Sequence, residues 1–121
     1  MKVLVVDDNR DAAQTLSMLI DLLGYESRAA YDGQEALDVA DSFLPDVVLL
    51  DLGMPRMDGL EACRQMRQRP WGTRAAIIAV TGWGQADDHR KTRDAGFNEH
   101  LVKPVAPDFL TQLLAELSGR G

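Results

Sequence analysis

The sequence predicts an α/β protein: a (βα)5 three-layer sandwich with a five-stranded parallel sheet covered by helices on both faces. Three observations lead there. Short, continuous apolar runs rich in β-branched residues recur along the chain, as in strands that meet water on neither face. Segments with the helical hydrophobic period lie between them. The two kinds alternate, strand then helix, five times over, and that alternation builds a parallel sheet with right-handed crossovers.

The first strand is Val3-Leu4-Val5-Val6. A helix over residues 10–23 follows, with Ala12, Leu16, Leu19, Ile20 and Leu23 on one face and Gly24 as its stop. Residues 25–30 form a second strand, more polar and so suited to a sheet edge. Asp32, with Glu35 three residues on, has the spacing of a capping box and opens a helix over 33–43. Val47-Val48-Leu49-Leu50 is the third strand. Asp58 and Glu61 repeat the cap signal before a helix over 59–69. Ala76-Ile77-Ile78-Ala79-Val80 is the fourth strand. The next helix, 85–95, reads QADDHRKTRDA and offers little apolar surface beyond Ala86 and Ala95; Gly84 and Gly96 bracket it. Burial supplies about 25 cal/mol per Å² of apolar surface, so this helix is expected to be the loosest element. A second polar edge strand, 98–102, precedes a last helix over 107–117 with Leu110, Leu113, Leu114 and Leu117 on one stripe.

The length of 121 residues fits one domain spanning 1–121. Hydrophobic residues make up 45% and charged residues 26%, which excludes a disordered chain. No apolar run is long enough to span a membrane. The N-terminus MKVLVVDD is too short and too acidic for a signal peptide, so a cytoplasmic location is expected. A net charge of −6 argues against nucleic-acid and anionic-lipid partners. The lone Cys63 excludes an intrachain disulfide.

Sites in open parallel sheets lie beyond the carboxyl ends of the strands. One residue past each strong strand stand Asp7-Asp8, Asp51, Thr81 and Lys103-Pro104. Three carboxylates, a hydroxyl and an ammonium thus converge on one edge of an apolar sheet. Unit charges about 5 Å apart repel by roughly 3 kcal/mol at an effective dielectric near 20. A hard divalent cation relieves that repulsion, and magnesium takes carboxylate, water and phosphate oxygens. Asp8 and Asp51 are the expected direct ligands, Asp7 acts through water, and Lys103 offsets one remaining charge. The same set suits a phosphoryl group: an Asp carboxylate can attack phosphorus to form an acyl phosphate, and transfer depends on neutralising the moving oxygens. Asp51, central in the row, is the expected nucleophile.

Four motifs, VLVVDDN, VVLLDLGMPRMDGLE, IIAVTG and GFNEHLVKPV, occur in order and span essentially the whole chain. Together they resemble the receiver domain of two-component response regulators. The resemblance implies a flavodoxin-like fold with strand order 2-1-3-4-5. It implies Asp51 as phosphoacceptor, Asp7 and Asp8 as the magnesium acid pair, and the Gly53 carbonyl as a further ligand. It implies Thr81 as switch hydroxyl, Lys103 on the phosphoryl group, and a cis Lys103-Pro104 bond. The implied phosphodonor is a phosphohistidine on a sensor histidine kinase or a histidine phosphotransfer domain, and no external substrate is turned over. A downstream protein would meet the face made by the fourth helix, fifth strand and fifth helix. The wording of TGWGQ and GFNEHLVKPV most resembles receivers of hybrid sensor kinases and some stand-alone regulators. Stand-alone regulator, phosphorelay shuttle and part of a larger protein all fit.

Three positions depart from the commonest pattern. His100 stands where the family usually places a Tyr or Phe rotamer switch. Gly53, two past the phosphoacceptor, has no side chain to orient water, and Trp83, two past the switch threonine, is bulky enough to roof the site. Asp58 reads as a helix cap, Met54, Met57 and Met66 as packing, and Cys63 as a half-buried helix residue. A flavin-type electron carrier on this fold would need a hydroxyl- and glycine-rich phosphate loop where DDNRD stands. A pseudo-receiver would not keep all five site residues. A haloacid-dehalogenase-type phosphatase would want an Asp where Gly53 stands.

Overall fold

The structure, a computed structural model, describes residues 1–82 and 89–119. The elements run β1 (Lys2–Val6), α1 (Arg10–Leu22), β2 (Glu26–Ala30), α2 (Gly33–Phe43), β3 (Val47–Asp51) and α3 (Gly59–Arg67). A 3-10 turn at Pro70–Thr73, β4 (Ala76–Thr81), α4 (His89–Ala95), β5 (Glu99–Val102) and α5 (Pro107–Leu117) complete the order. The strands form one parallel sheet in the order β2-β1-β3-β4-β5. This is the flavodoxin-like arrangement expected, with the two polar strands at the edges.

Alternation along the central strands divides the core in two. Leu4, Val6, Val48, Leu50 and Ile77 face one side, against Leu37 and Ala40 of α2 and Ala62 and Met66 of α3. Val3, Val5, Leu49, Ile78 and Val80 face the other, against Ala13 and Ile20 of α1 and Leu110 and Leu114 of α5. Each fully buried Val, Leu, Ile or Met side chain contributes about 1.5–3 kcal/mol relative to exposure. Both faces of β3 are consumed this way, so all five of its residues are buried.

Several boundaries move for identifiable reasons. α3 stops at Arg67 rather than 69, because Pro70 opens the 3-10 turn and Arg69 before it is extended (φ −82, ψ 153). Proline disfavours helical backbone in the residue preceding it. β3 and β4 each run one residue further than the apolar runs, so Asp51 and Thr81 are the last residues of their strands. β5 is one residue shorter at its start, where Asn98 lends its side-chain oxygen to the Ile77 N–H at 2.8 Å. The helix expected over 85–95 is described from His89; Trp83, Gly84 and the start of that helix lie outside the described residues. Within α4 the buried positions are Ala95 and Thr92, the second of which the hydrophobic pattern did not mark. Among the described residues no helix is long and apolar enough to cross a membrane.

Candidate functional site

β1, β3 and β4 are adjacent, so their C-terminal ends deliver Asp7, Asp51 and Thr81 to one place. Asp8 follows Asp7 on the way to α1, whose N-cap is Asn9: its side chain accepts the Ala12 N–H at 3.1 Å. Asp7 is buried and Asp8 exposed. Asp51 is buried at 6% exposure, and its Oδ1 accepts the Gly53 N–H at 3.2 Å. Thr81 is fully buried.

The loop after β3 is held tightly over that strand end. Asp58 caps α3 by accepting the Glu61 N–H at 2.9 Å, and the Gly59 N–H donates to the Leu52 carbonyl at 3.2 Å. A Cβ on Gly59 would stand 2.5 Å from the Asp51 carbonyl oxygen and 2.7 Å from Leu52 Cα. Only glycine lets α3 start so close to β3.

Lys103 reaches the site from the end of β5. Its backbone N–H donates to the Thr81 carbonyl at 2.7 Å, and its bond to Pro104 is cis. Its Nζ donates to Asp7 Oδ2 at 2.8 Å and lies 3.6 Å from Asp51 Oδ2. The ammonium therefore bridges the carboxylates of β1 and β3. Burial pulls its pKa down, but the hydrogen bond to Asp7 and the charges of Asp51 and Asp7 together leave it raised above the ordinary lysine value. Asp51 is raised above the ordinary aspartate value. Burial is the main cause; the Gly53 N–H opposes it, Asp7 adds to it, Lys103 opposes it and Asp8 adds to it. Ionising the nucleophile candidate therefore carries an energetic cost in the folded chain.

Asp7, Asp8 and Asp51 each offer one oxygen, and these oxygens lie within 4.8 Å of one another. Opposite ligands of an octahedral ion with bonds of about 2.1 Å are about 4.2 Å apart. The acidic cluster could therefore hold a metal ion with small side-chain movements. Both hard oxygen donors and their charge suit a hard divalent cation.

Thr81 Oγ1 lies 3.1 Å from His100 Nε2 and 3.4 Å from the Leu101 carbonyl oxygen. The residue at the usual aromatic position thus contacts the threonine directly. Trp83 lies outside the described residues.

Among the remaining assignments, Asp58 is a cap, and Met54 and Met66 are buried while Met57 packs against the core. Cys63 differs from expectation: it is fully buried in the α2–α3 side of the core, and burial pushes its thiol up to about 11. α3 packs closely enough on the sheet to cover it fully. One residue went unmarked altogether. Arg67 donates to the carbonyls of Gly72, Ala75 and Gly96 and to Asn98 Oδ1, at 2.6–2.9 Å, joining α3 to the entries of β4 and β5. Nothing in a polar helix end signals that role.

Comparison with known proteins fits this geometry. The family model described as the response regulator receiver domain matches residues 3–115. The chain is 40% identical over 117 residues to the response regulator MprA of Mycobacterium avium, covering 97% of this chain and 49% of that protein. It spans about half the length of the curated relatives it matches. Among solved structures it resembles the chemotaxis protein CheY4 of Vibrio cholerae, with TM-score 0.89 and 32% identity, covering 96% of this chain and 97% of that one. It also resembles the receiver domain of the sensor histidine kinase PA1611 of Pseudomonas aeruginosa, with TM-score 0.87 and 30% identity, covering 98% and 97%. That structure has a magnesium ion coordinated in its active-site cleft.

Proposed function

The chain belongs to the response regulator receiver domain family, and from that premise we propose that Asp51 is the residue on which its phosphoacceptor signalling role rests. The observation that carries this is the convergence of three carboxylate oxygens within 4.8 Å with the Lys103 ammonium, 2.8 Å from Asp7 and 3.6 Å from Asp51. An Asp51 oxygen attacks the phosphorus of a phosphohistidine on a sensor histidine kinase or histidine phosphotransfer domain. The new P–O bond forms as the P–N bond breaks, and the leaving imidazole takes up a proton. Asp7, Asp8, Asp51 and the Gly53 carbonyl would hold Mg²⁺, which neutralises charge on the phosphoryl oxygens. Lys103 takes a second oxygen and Thr81 a third.

Residues 1–121 act as one cytoplasmic receiver unit that turns over no external substrate and engages neither nucleic acid nor membrane. Its output is a shift of the α4–β5–α5 face toward a downstream protein. Exposed Val102 and Phe109, at 45% and 52%, give that face apolar contact points. Incubation with acetyl phosphate and Mg²⁺, followed by intact mass, tests the assignment. The chain should gain one phosphate; Asp51→Asn, or the native chain with excess EDTA, should gain none. Equal labelling of Asp51→Asn would place the phosphoacceptor elsewhere.

A further inference from the structure

We infer that His100 is a positioning residue for Thr81, and that its protonation decides whether the threonine hydroxyl hydrogen is free for an incoming phosphoryl group. The inference rests on the phosphoacceptor reading of Asp51 and adds proton linkage to it. Thr81 is fully buried, with His100 Nε2 3.1 Å from its Oγ1 and the Leu101 carbonyl at 3.4 Å. A hydroxyl has one hydrogen and two lone pairs. A neutral imidazole with an unprotonated Nε2 accepts that hydrogen and holds it away from the site. An imidazolium donates from both nitrogens and accepts nothing. It therefore leaves the hydroxyl hydrogen to an anionic oxygen while still bonding Oγ1. A Tyr or Phe at this position exerts no such choice, because neither ring changes charge near neutrality.

His100 is half-buried, with its Nδ1 buried and its Nε2 packed on Thr81. Among the described residues, Arg93 of α4 and Glu99 of its own strand line the same groove as His100. Phe109 of α5 and Ala106, its N-cap, line the groove on the other side of His100. Imidazole is the side chain whose charge ordinarily changes between about pH 5 and 8. Lower pH should then favour phosphoryl capture, and by reciprocity capture should raise the pKa of His100.

The test is a titration of the Mg²⁺-loaded full chain with beryllofluoride, followed by ¹⁹F NMR of the bound species from about pH 6 to about pH 8. His100→Gln serves as reference, since its amide donates and accepts without titrating. Taking the ratio of the two affinities removes effects common to both proteins, including beryllofluoride speciation. The ratio of native to variant affinity should fall about fivefold across that range, the worth of one hydrogen bond. A flat ratio would overturn the inference and leave the phosphoacceptor reading intact. No binding at any pH would overturn both. A second measurement does not depend on the variant's folding. ¹⁵N NMR of the native imidazole should show its pKa rising with beryllofluoride and Nε2 carrying the proton. In Thr81→Val most of that rise should vanish; a rise of full size there would mean plain charge attraction and sink the inference.

Discussion

Asp51 bears a charge that its surroundings resist. Burial raises its pKa above the aspartate value, with Asp7 and Asp8 pushing the same way and Lys103 and the Gly53 N–H pushing back. The unfolded chain ionises this group at its ordinary pKa, the folded chain only at higher pH. Between those values the folded state binds more protons, so stability falls as pH rises through that window and stays lowered above it. Asp51→Asn removes the charge and with it the penalty. In EDTA at pH 7 the variant should melt a few degrees higher than the native protein. The gain should disappear once pH is lowered through the carboxylate range, where both proteins are uncharged at this position. Circular dichroism melts at the two pH values check this, and equal midpoints at pH 7 would contradict it. The residues proposed to carry this chemistry were the most legible part of the sequence. Asp7, Asp51 and Thr81 each stand directly after an apolar run, and a charged or hydroxyl residue there has little to do for packing. His100 was legible only as a departure from a pattern; that it touches Thr81 depends on the β4–β5 register, which pairs Ala79 with His100 and Thr81 with Val102.

Elements are set by local signals at their ends and by long-range contacts along their length. The capping signals could be read directly: Asp32 accepts the Glu35 N–H at 2.7 Å and Asp58 the Glu61 N–H at 2.9 Å. Asp58→Ala should lower stability by about 1 kcal/mol in urea denaturation, with labelling by acetyl phosphate retained. Loss of labelling would give Asp58 a chemical role instead of a capping one. Arg67 shows the opposite case. Its guanidinium joins elements that are remote in sequence, reaching Gly96 and Asn98 across 29 and 31 residues. A pattern of helical periodicity has no means of registering such a contact. Arg67→Ala strands three backbone carbonyls that now accept from it, and should cost about 2–3 kcal/mol. Arg67→Lys should recover only part of that, because a single ammonium cannot span the fork. Full recovery by lysine would reduce Arg67 to a point charge. α4 was also only partly legible: its polar sequence suggests little apolar burial, and gives no sign that Thr92 is buried.

For the molecule as a whole, strand order decides what the site is. Neighbouring β1, β3 and β4 put carboxylates and hydroxyl side by side, and β5 at the edge adds the ammonium. Parallel alternation could be read from the apolar runs, whereas this order came from the family resemblance, since hydrophobic runs do not say which strands are neighbours. A ligand bound only by the folded state stabilises it by mass action. Mg²⁺ should therefore raise the melting midpoint of the native protein, and raise it less in Asp8→Ala, whose cluster has lost one oxygen donor. Identical shifts in the two proteins would move the ion away from the acidic cluster. The ion pair between Lys103 and Asp7 joins residues 96 positions apart. A ribosome making this chain therefore releases Asp7, Asp8 and Asp51 well before their ammonium exists. A chain halted before β5 would carry the acidic cluster without the ammonium that bridges it.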